Sequence, residues 1–484
     1  MATPDTIVVG AGPAGLTAAW ELLERGRRPV VLEKYHMVGG IARTEQYKGY
    51  RFDIGGHRFF TKVPEVNELW HTWMGEEFLL RPRLSRIFYG GKFFHYPLRA
   101  FNALANIGLW HSVLIVLSYL RAKLFPYPRE DTFEEWVTNR FGQRLYEIFF
   151  KTYTEKVWGI PCTEIRAEFA AQRIKGLSLP AAVRNALFKP SGKVIKTLIE
   201  EFEYPKHGPG MMWEYVTRAV QQRGGEVRLG VDVVRVTRQG ARVTGVQMVE
   251  ADEEKWLPAA RVISSMPLSE LIHKLDPPAP PDVQKAAASL AYRDFLSVVL
   301  LIQQPHLFDD NWIYIHSPEV RVGRIQNFKN WSPDMVPDAG RTSLGLEYFC
   351  TEGDDLWTMP DADLIALGTR EIDQIGLARA ADVVDGVVVR QLKAYPVYDS
   401  AYAGHLARIR AFLAGMQNLQ TIGRNGLHKY NNQDHSMLTA ILAVRNLDGE
   451  AHDLWEVNTE RSYHEEVRVP RKHIEEKPVD ILEA

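Results

Sequence analysis

Cysteine is nearly absent from the 484 residues: Cys162 and Cys350 are the full complement, too few for a disulfide framework and without metal-site spacing. Charge bias is missing as well. The 58 Lys and Arg against 60 Asp and Glu leave a formal net charge of -2, which excludes the basic excess of a nucleic-acid binder. No apolar run reaches the ~20 residues of a membrane span. The nearest approach, residues 101–125, holds Leu109, Trp110 and Val113 to Leu117 but is interrupted by His111, Ser112 and Ser118 and closed by Arg121 and Lys123. A buried or domain-capping helix is therefore expected there, with peripheral membrane contact through 101–125 as the alternative. Internal repeats and low-complexity tracts are lacking too, and the opening residues show no basic stretch followed by an apolar one. A cytoplasmic protein is the expectation; nothing in the sequence speaks to its oligomeric state.

A chain of this length exceeds what one hydrophobic core usually organises, so two interleaved domains are expected. Residues 226–248 alternate apolar and polar around Gly230, Gly240 and Gly245, the pattern of a small antiparallel sheet, while residues 133–153 carry helix-period apolar positions. The order of elements predicts an α/β (α+β) fold: a discontinuous Rossmann-like domain of residues 1–60, 200–285 and 385–460, with a mixed α/β substrate domain inserted as 61–199 and 286–384. Residues 461–484 form a charged tail.

The most specific chemistry lies at the start. Ile7, Val8 and Val9 predict a strand, Gly10, Gly12 and Gly15 supply G-x-G-x-x-G, and residues 16–25 continue as a helix. The first glycine permits a tight turn, the second admits a pyrophosphate, and the third lets helix pack closely on strand, so phosphates sit at a helix N-terminus. A second strand ends in Glu33, whose carboxylate is placed to accept hydrogen bonds from an adenosine ribose. A bound dinucleotide is the expectation.

Gly39, Gly40, Arg43 and Thr44, followed by Tyr50, Phe52, Asp53, Gly55 and Gly56, make residues 8–56 resemble the flavoprotein superfamily of monoamine oxidases, protoporphyrinogen oxidase, carotenoid desaturases and UDP-galactopyranose mutase. The resemblance implies noncovalent FAD, with Gly40 and Arg43 against its pyrophosphate and ribityl chain. Near the far end Gly423, Arg424 and Asp434 resemble the segment that runs beneath the flavin ring, and Val233 stands where the adenine end would be met. Asp53 alone reads as a residue that tightens a turn. His428, Asp434 and His435 read as capping or solvated residues, and no metal is expected.

Several segments resemble the mutases most. Gly56, His57, Phe59 and Thr61 resemble G-H-x-F-H-T, with Phe60 in place of its second histidine. Tyr153, Thr154, Lys156, Trp158 and Gly159 resemble Y-T-x-K-x-W-G, Arg324 resembles a diphosphate-clamping arginine, Tyr395 to Val397 resemble Y-P-V, and Tyr430 completes the set with Asn432 replacing a second tyrosine. The resemblance implies substrate binding by Tyr153, Trp158, Arg324, Tyr395 and Tyr430, and catalysis by His57, Arg324, Tyr395 and Tyr430. Its chemistry would be attack by N5 of reduced flavin on the anomeric carbon of a nucleotide sugar, exchanging pyranose and furanose rings, with NAD(P)H as a transient reductant. Two departures keep a second reading open. Gly176 stands where a second clamping arginine would be, leaving Lys175 or nothing in that role. Residues 206–210 and 225–236 look like the amine oxidase and protoporphyrinogen oxidase branch, which takes a hydride from a C–N or C–C bond. Ser191, Gly192 and Lys193 imitate the end of a phosphate loop, and a solvated turn is expected there.

Overall fold

The alternation along Thr6–Val9 sets the first layers. The computed structural model describes residues 5–96, 100–167 and 201–458. Thr6–Val9 is the centre of a five-stranded sheet in the order Leu419–Thr421, Arg261–Ser264, Thr6–Val9, Pro29–Glu33, Glu226–Leu229, every pairing parallel. Its inner strands carry the apolar runs Ile7 to Val9, Val30 to Leu32 and Val262 to Ile263 because both faces are covered. Val8, Val31 and Ile263 meet the helices Pro13–Glu24, Pro209–Gln222 and Gln433–Leu447 on one face. Ile7, Val9, Val30, Leu32 and Val262 meet a second core on the other, shared with a small four-stranded sheet. Each such side chain contributes about 1.5–3 kcal/mol on burial.

That small sheet holds the antiparallel strands Val231–Gln239 and Arg242–Glu250, turning at Gly240, with Glu253–Pro258 beyond; the segment expected at 226–248 is split, because Glu226–Leu229 pairs in parallel with Pro29–Glu33 and the chain turns at Gly230 (φ +70°) into the small sheet. Val233 is buried in its core.

A seven-stranded sheet forms the other half, in the order Val383–Pro396, Tyr292–Ile302, Thr342–Cys350, Arg324–Asn327, Trp312–Ile315, Ser85–Tyr89, Lys92–His95. Helix Asp361–Gln374 backs it through Leu364 and Ile372. The domain limit expected at residue 385 falls inside Val383–Pro396. That strand pairs along its length with Tyr292–Ile302, from Val383 opposite Ile302 to Pro396 opposite Tyr292, so residues 385–396 join this sheet and not the nucleotide-binding one. Backbone hydrogen bonding along the whole strand outweighs a boundary drawn from composition.

Residues 133–153 do not form one helix. Phe133–Phe141 starts at a Thr132–Glu135 capping box and ends at Gly142 (φ +83°), after which helical structure resumes at Gln143–Tyr146 and runs to Trp158 through one π-helical turn, Glu147–Lys151. A Cβ at Gly142 would lie 2.7 Å from the backbone nitrogen of Tyr119. The break follows from the close passage of helix Leu109–Leu124 at that point.

That apolar helix is not buried as expected. Ser112, Ile115 and Ala122 face inward, yet Trp110 is 70% exposed, Leu117 55% and Leu124 74%. With one face on the protein and apolar residues on both faces, periodicity alone could not tell a covered helix from an uncovered one. No helix among the described residues is long and apolar enough to cross a membrane. Lys175, Gly176, the Ser191 to Lys193 turn and the tail 461–484 lie outside the described residues.

Candidate active site

The dinucleotide cradle is assembled by close backbone approaches. A Cβ at Gly15 would sit 1.8 Å from the carbonyl oxygen of Gly10, so helix Pro13–Glu24 can start there only without a side chain. Gly12 differs: its φ of -80° and ψ of -175° suit any residue, and an added Cβ would meet no atom nearer than 3.8 Å, at Gly40 Cα. Neither the backbone nor the packing of this chain demands glycine at position 12. The space beside it fits a ligand's pyrophosphate, at a helix N-terminus that carries Pro13 in its first turn and no side-chain cap.

Neighbouring groups complete the cradle. Glu33 is buried at the tip of its strand and accepts from the Ala11 and Tyr35 amides at 2.7 and 2.9 Å. The second glycine pair is held by the Gly39 amide donating to Ala11 O at 2.8 Å. Arg43 donates to Gly40 O and Gln391 and pairs with Glu45. A Cβ on Gly423 would lie 2.8 Å from that of Ala14, so the C-terminal strand-to-helix turn sits against the first helix. Asp434 is buried in the first turn of Gln433–Leu447. His435 Nδ1 accepts from the Asn432 amide, a capping part in keeping with expectation, and the described residues hold no cluster fit for a metal ion.

Asp53 does more than tighten a turn. Its carboxylate accepts from Tyr204 at 2.5 Å and from Thr44 at 3.0 Å, and burial raises its pKa to about 7. It pins the Thr44–Tyr47 and Tyr50–Asp53 hairpin to strand Glu201–Pro205, while the Gly210 amide donates to Thr44 Oγ1.

The other half brings together the aromatic and cationic residues expected to bind substrate. Tyr395 and Tyr430 stack with centroids 5.8 Å apart and planes 23° apart; Trp158 stands 6.3 and 6.4 Å from them. Arg424 lies over the Tyr430 ring at 4.1 Å and over Tyr395 at 5.1 Å, while its Nε and Nη1 donate to the carbonyls of Ala394 and Asn431. Strand Arg324–Asn327 carries Arg324 beneath the Gly55 turn: a Cβ there would be 3.6 Å from Arg324 Nη2. Tyr153 stacks on His316 at 4.8 Å and meets Tyr314 edge-on at 5.4 Å. Burial pushes the hydroxyl pKa of Tyr153 well up, with the Arg324 charge opposing, and burial raises that of Tyr395 in the same way. Both stay protonated and able to donate.

His57 joins this group electrostatically. Burial, then the Arg424 and Arg324 guanidiniums, hold its imidazole down at about 3, so it is neutral, and its Nδ1 is buried without a hydrogen-bond partner.

Three participants were not foreseen. Glu347 is fully buried opposite Arg324 in the sheet register and forms a salt bridge to its Nη2 at 2.5 Å. Gln326 Nε2 donates to the same carboxylate at 2.8 Å. Arg83, in the turn before Ser85–Tyr89, lies 5.7 Å over Tyr96 and 5.6 Å over Trp312, with a buried Nε that donates to nothing, and Tyr96 in turn stands 5.0 Å from Tyr314. A signal existed for Glu347: it is the one charged residue in the strand Thr-Ser-Leu-Gly-Leu-Glu-Tyr-Phe-Cys. Arg83 follows a proline in an ordinary-looking turn and gave none.

A parallel sheet whose glycine-rich turn opens an uncapped helix N-terminus, joined to a mixed sheet bearing aromatic and cationic side chains, is the architecture of a dinucleotide-dependent flavoprotein. A family model described as flavin containing amine oxidoreductase matches residues 13–428, and the chain belongs to that family as an FAD-dependent flavoenzyme. Among solved structures, reduced UDP-galactopyranose mutase superposes with a TM-score of 0.81 over 94% of this chain and 98% of that one, at 21% identity. Putrescine oxidase bound to putrescine superposes with a TM-score of 0.62 over 92% and 99%, at 16%. By sequence, a flavin-containing monoamine-oxidase-like protein of Mycobacterium tuberculosis is 25% identical over 301 residues, 59% of this chain and 62% of that one. A 15-cis-phytoene desaturase of Synechococcus elongatus is 24% identical over 402 residues, 76% and 79%. A protein of Klebsiella pneumoniae described as a probable UDP-galactopyranose mutase is 28% identical over 184 residues, 34% and 44%.

Proposed function

We propose that the enzyme interconverts ring forms of a diphosphate-linked sugar, as a nucleotide-sugar mutase does. The observation that carries this reading is the sign of the cup: Arg324 and Arg424 converge on a neutral imidazole, with Arg83 two aromatic rings away, and Glu347 is the carboxylate that faces Arg324. Such a field favours a polyanionic substrate and opposes a protonated amine.

Reduced FAD, held by the glycine cradle, would supply an electron-rich nitrogen to the anomeric carbon. The chain's own side chains then have separable tasks. Arg324 and Arg424 offset charge on the departing diphosphate, and the protonated hydroxyls of Tyr153 and Tyr395 donate to its oxygens. Tyr430 and Trp158 wall the sugar in the reactive orientation. His57 stays neutral beside the cations and so adds no charge that would repel the guanidiniums. Arg83 supplies a second clamping cation from the opposite end of the aromatic row. A nicotinamide cofactor binding transiently would reduce the flavin.

Titration of the holoenzyme with UDP and related nucleotides, read through flavin fluorescence, tests the site. Saturable binding weakened in Arg324→Ala is expected; no nucleotide binding in either oxidation state contradicts the reading. The family match and the desaturase and oxidase relatives support a second reading, hydride transfer from a C–N or C–C bond. It predicts that an uncharged polycyclic or amine substrate bleaches the oxidised flavin without oxygen.

A further inference from the structure

We infer that helix Leu109–Leu124 is a docking face for an anionic membrane surface. At ~100° per residue, Trp110, Val113, Val116, Leu117, Leu120 and Leu124 share the side opposite the inward-facing Ser112, Ile115 and Ala122. All six are exposed, and the face continues past the helix into Phe125, 77% exposed, and the exposed ring of Tyr127. Scattered apolar residues on a surface are ordinary, but one contiguous side of a helix with tryptophan at one end and phenylalanine and tyrosine at the other is the composition of an interfacial helix.

Charge says what covers it. The charged side chains of residues 109–129 are Arg121, Lys123 and Arg129, all cationic, in a chain whose net charge is -2. On the helix, Arg121 and Lys123 fall on either side of the apolar stripe, and with Arg129 just beyond it they are exposed. An apolar stripe rimmed by cations suits acyl chains below and anionic headgroups beside it. A second copy of the chain would bring the same cations against one another.

The helix is also firmly held. It runs so close to the Gly142 break that a Cβ there would meet the Tyr119 backbone, and its C-terminal end is capped by the Phe125 amide bonding to Arg121 O. A helix of 16 residues lies on a bilayer and does not span it. Beyond its anchoring on Phe133–Phe141, the same insertion continues into Thr152–Trp158, which carries Tyr153 and Trp158. Membrane attachment would therefore fix the orientation of the helices that wall the proposed site, and it holds whichever reaction the site performs.

The test is flotation of the full-length holoenzyme with vesicles of phosphatidylcholine alone and of phosphatidylcholine with phosphatidylglycerol. Binding to the anionic vesicles only, weakened by salt, is expected. Arg121→Glu with Lys123→Glu should weaken it by roughly fivefold per charge removed, and Leu117→Glu with Leu120→Glu by at least about an order of magnitude. Both variants should keep the wild-type flavin spectrum and melting temperature, since every altered side chain is exposed. Brominated lipid should quench wild-type tryptophan fluorescence but not that of Trp110→Phe. Three results overturn the inference: no vesicle binding, unaltered binding by Leu117→Glu with Leu120→Glu, or a lipid-free dimer that this variant abolishes. Protection of Trp110 from acrylamide in lipid-free solution would also overturn it, by showing that the chain itself covers the face.

Discussion

The two halves of the molecule are specified in different ways. The dinucleotide cradle is a matter of backbone: Gly10, Gly15 and Gly423 are held to glycine by close approaches, that of Gly15 to Gly10 O only five residues away, while Gly12 leaves open space at the helix N-terminus. The aromatic and cationic cup is a matter of side chains, collected from Arg83, Tyr153, Arg324, Tyr395 and Tyr430 by pairings between distant strands and helices. Local backbone rules leave a periodic trace in sequence, whereas convergence of distant side chains leaves little. The cradle should accordingly fail all at once when altered, and the cup by degrees.

The largest expected effect is on the cradle, where Gly12 and Gly15 can be set against each other. Gly12→Val should give a folded, colourless protein, because its backbone tolerates a side chain and the ligand's space does not. Gly15→Val should give little folded protein at all, since a Cβ cannot coexist with Gly10 O. Absorbance of the purified variants with circular dichroism measures both. A yellow Gly12→Val protein would break the contrast.

In the cup, Arg324→Ala should weaken nucleotide diphosphate binding by about 2–5 kcal/mol. It should also lower the melting temperature, because Glu347 would be left buried and unpaired. Stability alone therefore cannot decide the role of Arg324, and Glu347→Gln is the sharper test. Released from its carboxylate, Arg324 should bind the diphosphate more tightly if it is a clamp, and isothermal titration reads the change. Tighter binding is expected; unchanged binding assigns Arg324 to the ion pair alone.

Arg83→Ala should have a smaller effect, about 0.5–2 kcal/mol on nucleotide affinity, with near-native stability because no carboxylate partners it among the described residues. Equal loss of affinity for a nucleoside and its diphosphate would remove Arg83 from the clamp.

The smallest expected effect concerns the joint between the halves. Asp53, with its pKa raised to about 7, binds a proton in the folded protein across a range where the unfolded chain has released it. Its contribution is full below the ordinary carboxylate range and is lost as pH rises through about 7. Asp53→Asn should flatten the fall in melting temperature between about pH 4 and 7; an unchanged profile would clear Asp53 of the effect.

Much of this architecture was legible because glycine spacing and two-residue alternation are local. The parallel sheet, the cradle and the antiparallel pair that begins at Val231 follow from such patterns, whereas Glu226–Leu229, of the same alternation, joins the parallel sheet instead; the family resemblance supplied the ordered set of cup residues. The boundary at 385 was not legible, since Val383–Pro396 is half-buried along most of its length and shows no clear alternation. Nor was the break at Gly142, which the passage of a helix from elsewhere in the chain dictates. Arg324 was legible as a cation but not as half of a pair, because its partner lies on the adjacent strand 23 residues on.

The central claim is that the cup serves an anionic sugar donor with the flavin reduced. The measurement is an anaerobic turnover assay on a panel of nucleotide sugars, run on the same holoenzyme before and after reduction by dithionite or a nicotinamide. The account predicts ring-isomerised product only from the reduced enzyme, persisting without oxygen and without stoichiometric use of reductant. Conversion of no sugar nucleotide by the reduced enzyme, together with bleaching of the oxidised enzyme by an amine or polycyclic substrate, would contradict it.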